Sequence, residues 1–137
     1  MPHRKSLAVI SIFHAVVNSL YLVRFFGVLP PEEIVHGYVP WFMSFALSNI
    51  VFTLLAWLLV YALFKKRDCL AVFTGLICAG GLIFHALIGF MFGFYTGYLL
   101  NLTWGTMFEI VVYAYGLLLA AFYCIHFYKF IAKNGGA

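Results

Sequence analysis

The chain has 137 residues, of which 66% are hydrophobic and 9% charged, and its mean hydropathy is +1.06. A soluble domain is about 25% charged, so this composition excludes a water-soluble globular protein. The formal net charge of +4 is divided among several short segments, which argues against a nucleic-acid-binding surface. The length suffices for one domain.

Four long apolar stretches follow one another along the chain, over about residues 7–29, 41–64, 69–95 and 102–131. Each reaches the roughly 20 residues that cross the ~30 Å hydrocarbon core of a bilayer. A chain in lipid must satisfy its own backbone hydrogen bonds, so these stretches are expected to be helices. The sequence therefore predicts an all-α, multi-pass membrane protein, an up-down bundle of four transmembrane helices in a single domain spanning residues 1–137.

The breaks between the stretches contain residues that end or begin helices. Pro30 and Pro31 follow the first helix, and Pro40 stands where it can open the second. A hydrophilic turn at 65–68 separates the second and third helices, and residues 97–101 form the last loop.

The cations predict the orientation of the helices. Glu32 and Glu33 lie in a loop without Lys or Arg, whereas cytoplasmic loops are enriched in these cations. Both termini are therefore expected on the cytoplasmic or matrix side. Seven of the eight Lys and Arg residues fall at that predicted face: Arg4, Lys5, Lys65, Lys66, Arg67, Lys129 and Lys133.

Cys69, next to the basic turn, tests this orientation. We expect a membrane-impermeant thiol reagent to label Cys69 only from the basic side of the membrane, because the turn lies on that side. Labelling of this position from the side of Glu32 and Glu33 would contradict the orientation.

Two charged residues lie within the spans, Arg24 in the first and Glu109 in the fourth. At 1.5 Å rise per residue, both are roughly 8 Å inside the outer end of their helices. The first and fourth helices of an up-down bundle are neighbours, so the sequence predicts an Arg24–Glu109 ion pair. The alternative is that Arg24 extends outward to the headgroups and leaves Glu109 to be protonated.

Asn18, Asn49 and His85 lie deeper, nearer the bilayer midplane. With Arg24 and Glu109 they are predicted to form a polar cluster in the outer half of the bundle, which is the candidate ligand-binding site. The competing interpretation is ordinary hydrogen bonding between helices, worth around 0.6–2 kcal/mol per contact in membranes.

His14 and His126 occur toward the inner face on the first and fourth helices. Two histidines at matching depth are able to ligate a b-type haem, and this is the one cofactor alternative. Against it, His126 is close to Lys129 and to the membrane interface. The cysteines form no CxxC pair, and no metal site is predicted.

Glycines recur at every fourth position near the end of the third helix, at Gly89, Gly93 and Gly97. Such a ridge of small residues allows another helix to approach closely. It fits either packing within the bundle or docking on another subunit or a second copy.

Several short segments in three of the predicted helices point to a known membrane family. They are His14, Val28-Leu29-Pro30, Trp41-Phe42-x-Ser44-Phe45, Val51-Phe52, Tyr61-Ala62 and Val112-Tyr113-Ala114-Tyr115. They resemble the EXPERA superfamily, the four-helix membrane family of emopamil-binding protein and the sigma-2 receptor. The resemblance implies the same fold and the binding of cationic amines or sterols, which that family achieves through acidic groups in its first two helices. Arg24 and Asn49 stand at those places here, so isomerase-type chemistry is expected to be lost.

The sequence contains no nucleophile–base pair, phosphate-binding loop or paired carboxylates. Glu109 is the one intramembrane carboxyl, and acid–base chemistry would require a second group such as His85. We therefore expect a non-catalytic accessory or structural subunit packed in a larger membrane complex. The alternatives are a lipid- or sterol-binding protein and a haem-binding electron-transfer subunit.

Overall fold

A computed structural model describes residues 1, 3–28, 39–95, 100 and 103–135, with the side chains of 24–28, 39–46, 92–93 and 105 left aside. The described residues form four α-helices and no strand: α1 (Arg4–Val28), α2 (Val39–Phe64), α3 (Asp68–Tyr95) and α4 (Trp104–Gly135). All four are long and apolar enough to cross a membrane. The all-α fold of four long apolar helices predicted from the sequence is confirmed for the described residues. The chain divides into two compact units, Met1–Thr74 and Gly75–Ala137.

Thr103 caps the N-terminus of α4. The Thr106 amide donates a hydrogen bond to the Thr103 hydroxyl at 3.3 Å, and the Thr103 amide donates to the Thr106 hydroxyl at 2.9 Å. This reciprocal arrangement satisfies two amides that a helix start otherwise leaves unpaired. The cap therefore fixes the start of α4, two residues after the predicted position.

The turn between α2 and α3 is a Schellman motif. The Arg67 amide donates to the Ala62 carbonyl at 2.9 Å and the Lys66 amide to the Leu63 carbonyl at 3.3 Å. Lys66 adopts the left-handed conformation, with φ of 56°, where glycine is the usual residue. The Arg67 carbonyl then accepts the first hydrogen bond of α3, from Ala71 at 2.9 Å. The two helices are thus joined by a tight turn whose three amides, of Lys65, Lys66 and Arg67, bond to carbonyls of α2.

In the first unit, α1 and α2 pack against each other through small residues. Ala15 and Ala56 are fully buried and form a cluster with Val60, against which Ile12 packs. The small side chains allow the helices to approach closely, which favours van der Waals packing in a membrane.

Within the first unit, an ion pair joins the start of α1 to the start of α3. Arg4, at the start of α1, donates from Nη2 to Asp68 Oδ1 at 2.6 Å, and both side chains are about three-quarters buried. Asp68 is also the first residue of α3, where a carboxylate is stabilised by the helix dipole. The start of α1 and the α2–α3 turn therefore lie at the same end of this unit.

In the second unit, α3 and α4 run antiparallel. A Cβ added to Gly75 would overlap the Phe127 ring, and one added to Gly89 would overlap the Tyr113 ring. The earlier glycine of α3 thus meets the later aromatic residue of α4. Tyr123 and Phe127, which are fully buried, are the largest side chains in this packing.

The contact of Gly75 with Phe127 predicts the effect of a single methyl group. Gly75→Ala should lower the thermal midpoint of the protein in detergent, because Phe127 is fully buried and cannot swing away; overpacking of this kind costs about 1–3 kcal/mol.

Gly80→Ala is the matched control on the same helix. Gly80 is exposed and a Cβ there would meet nothing within 4 Å, so this change should leave the midpoint unchanged or raise it slightly. Equal effects at the two positions would contradict the packing of α3 on α4.

Candidate functional site

Two polar groups of the second unit, Glu109 and His85, contact Tyr113. Its hydroxyl donates to Glu109 Oε2, one turn earlier on α4, with 3.5 Å between the oxygens. His85 and Phe90 on α3 pack against the same phenol ring, with centroids 5.9 and 5.1 Å away. Gly89 lies beneath the ring, and its lack of a side chain makes room for it. We call Glu109, Tyr113 and His85 the Tyr113 cluster.

The Tyr113 cluster places a carboxyl, a phenol and an imidazole on helices that are long and apolar enough to cross a membrane. A distance of 3.5 Å is at the outer limit for a hydrogen bond between two oxygens, so the phenol stabilises the Glu109 charge only weakly. Glu109 is half-buried. A carboxyl in an apolar helix is costly unless a partner balances it. The Glu109 carboxyl, with one weak contact to Tyr113, therefore fits a further partner.

Tyr113 was not predicted from the sequence as a member of the site. The available signal is its position four residues after Glu109, a spacing that puts both side chains on one helix face. Two of the predicted site residues, His85 and Glu109, thus lie in one cluster because both contact Tyr113, which was not predicted.

Asn18, a third predicted site residue, pairs with His14 on α1. Asn18 Nδ2 lies 3.2 Å from His14 Nε2, and His14 is 2% exposed. An amide nitrogen is a donor, so Nε2 is the acceptor and Nδ1 carries the ring proton. Both residues were singled out from the sequence, but for different sites, Asn18 for the polar cluster and His14 for haem.

Asn49, on α2, has one buried donor still to satisfy. Its backbone carbonyl accepts a hydrogen bond from the Thr53 hydroxyl at 2.7 Å. Its side-chain Nδ2 is buried and has no hydrogen-bond partner among the described residues. A buried unpaired donor is costly, so Asn49 is a polar group of the first unit that fits a further ligand or neighbour.

Arg24 belongs to α1, but its side chain lies outside the described residues, and the Arg24–Glu109 ion pair stays a prediction. The predicted polar cluster of five residues also stays a prediction. Asn18 and Asn49 belong to the first unit, and His85 and Glu109 belong to the second.

The two histidines of the haem alternative have different surroundings. His126 Nδ1 lies 2.9 Å from the Phe122 carbonyl, which fixes the ring proton on Nδ1. This tautomer suits a metal ligand. His14 Nε2 is instead held by Asn18. Iron ligation through that nitrogen would require the Asn18 contact to break, and the haem alternative stays a prediction.

The glycine ridge of α3 serves packing at its first position, because Gly89 is covered by Tyr113 of the same chain. The contacts of Gly93 and Gly97 lie outside the described part of the chain. Across the described ranges, no three His, Cys, Asp or Glu side chains are grouped so that they could hold a metal ion.

Comparisons with known proteins return no relative: no family model matches the chain, and neither a curated protein nor a solved structure does.

Two double-mutant cycles identify what balances the Glu109 charge. Glu109→Ala combined with Arg24→Ala should be less destabilised than Glu109→Ala alone, because removing both partners of an ion pair leaves no unpaired charge. Glu109→Gln with Tyr113→Phe should show a coupling below about 1 kcal/mol, since the 3.5 Å contact is weak.

Unfolding of the purified variants in detergent, followed by helical circular dichroism, provides both couplings. A larger coupling of Glu109 with Tyr113 than with Arg24 would overturn the predicted ion pair.

Proposed function

We propose that this chain is a small, non-catalytic accessory subunit that packs as an up-down bundle of four spans against larger membrane proteins. One observation supports the proposal: most of the described polar side chains within the helices form contacts inside their own unit. Contacts of this kind hold helices together and leave few groups for chemistry.

Trp57 and Ser19 illustrate this use. The Trp57 indole on α2 donates to the Ser19 hydroxyl on α1 at 3.0 Å, and Ser19 donates in turn to the Ala15 carbonyl at 2.7 Å. Thr74 is buried and donates to the Leu70 carbonyl at 2.7 Å. None of these groups is arranged as a nucleophile with a base.

The outward surfaces of the helices are apolar. One large side chain on each helix shows the pattern: Val23 is 71% exposed, Leu54 64%, Met91 68% and Leu118 72%. Such surfaces fit lipid and the apolar faces of neighbouring transmembrane helices. The ion pair between Arg4 and Asp68 supports the predicted orientation, because it gathers the cations of α1 and of the α2–α3 turn at one end of the first unit.

A lipid- or sterol-binding protein is the second candidate, and Glu109 favours it. Its carboxyl has only a weak phenol contact among the described residues, and a polar ligand group could supply the missing partner. The resemblance to the EXPERA superfamily agrees with this candidate, although the acidic groups of that family lie in its first two helices and Glu109 lies in α4.

Native electrophoresis of the protein extracted in mild detergent tests the leading proposal. We expect a band well above the mass of the 15.5 kDa chain, containing other membrane proteins or further copies. A stable monomer would contradict it.

Lipid extracts of the same preparation distinguish the second candidate. A bound lipid or sterol that disappears in Glu109→Gln and remains in Ser19→Ala would favour a ligand site at Glu109. Ser19→Ala is the control because it also removes an intramembrane polar group. A Soret band in the absorption spectrum would favour the haem alternative instead.

A further inference from the structure

We propose that the basic end of the first unit binds the phosphate headgroup of an anionic phospholipid. We define the basic end as Arg4, Lys5, Lys65, Lys66 and Arg67. This inference rests on the proposed placement of the helices in a membrane and is independent of the accessory role.

The α2–α3 turn presents its cations from a fixed backbone. Lys65, Lys66 and Arg67 are exposed, and all three lie within the Schellman motif, whose amides bond to the last carbonyls of α2. A fixed backbone keeps the three cations next to one another, so binding an anion orders their side chains and not the turn itself. The turn therefore offers three neighbouring cationic donors to an anion.

The carboxylate that directly follows the turn, Asp68, is already paired. Asp68 accepts from Arg4 at 2.6 Å, so its charge is compensated within the chain. No ion pair of Lys65, Lys66 or Arg67 is found among the described residues. The turn thus retains three positive charges that are not neutralised there by the protein.

The position of these cations favours a lipid over a soluble anion. Phe64, directly before Lys65, is 65% exposed, and Phe73 on α3 is 63% exposed. The cations therefore stand where apolar, outward-facing helix surface begins. A phospholipid matches both features with a phosphate and acyl chains. Anionic lipids are also concentrated in the cytoplasmic leaflet, where the basic end is predicted to lie.

The test uses two variants that remove the same charge. Lys65→Gln/Arg67→Gln neutralises two cations of the turn and keeps Lys66 and its left-handed backbone. Lys129→Gln/Lys133→Gln is the matched control, since it neutralises two exposed cations near the end of α4. Each full-length protein is incubated in detergent with equal amounts of phosphatidylglycerol and phosphatidylcholine, and retained lipid is measured by native mass spectrometry.

We expect the unchanged protein to retain phosphatidylglycerol preferentially. The assay is in detergent, without a membrane surface, so the cations that contribute are those that contact the bound headgroup, each by about fivefold. The turn variant should therefore lose about tenfold or more of the preference. The control should lose less than about threefold. Equal losses in the two variants, or no preference in the unchanged protein, would overturn the proposal.

Native electrophoresis of the turn variant separates this inference from the accessory role. The assembly should be the same as for the unchanged protein, because the turn cations point to lipid headgroups and not to a subunit. Loss of the assembly together with the lipid would assign the cations to a protein interface and overturn the lipid site.

Discussion

A backbone amide in hydrocarbon has no water to bind, and this constraint determines most of what the chain does with its polar residues. Every long apolar stretch becomes a helix. Polar side chains within the helices return to backbone carbonyls one turn earlier, as Ser19 does to Ala15, Thr53 to Asn49 and His126 to Phe122. A hydroxyl or imidazole that bonds in this way is satisfied wherever its helix faces. The spans can therefore contain polar residues without each of them forming a site.

Different kinds of residues form the contact between helices in the two units. In α1 and α2, alanines meet at the contact, and the surfaces fit because both side chains are small. In α3 and α4, a glycine on one helix receives an aromatic ring from the other, at Gly75 with Phe127 and at Gly89 with Tyr113. The second arrangement gives a more specific register, because a ring fits only where the side chain opposite is missing.

Four apolar stretches of about 20 residues or more were sufficient to predict the four helices, since a helix of this length satisfies its own backbone hydrogen bonds in lipid. The partners of individual residues were not predictable in the same way. Asp68 looks like a loop residue in the sequence and is instead the ion-pair partner of Arg4. Asn18 was assigned to a ligand site and is bonded to His14. The hydrophobic pattern is nearly uniform around each helix, so it does not indicate which face meets which neighbour. Local spacing, such as Glu109 and Tyr113 one turn apart, is the one pairing signal that the sequence contained.

The missing side chain at Gly75 leaves a notch in α3 that the Phe127 ring fills. This glycine notch also affects when α3 and α4 can pack during synthesis. Gly75 enters the membrane with α3, whereas the ring that fills the notch belongs to the later part of α4 and emerges much later from the ribosome. Until then the notch is open to lipid or to another helix. If transmembrane helices insert first and associate afterwards, closure of this contact is a late step, and a chaperone or a premature neighbour that occupied the notch would delay it.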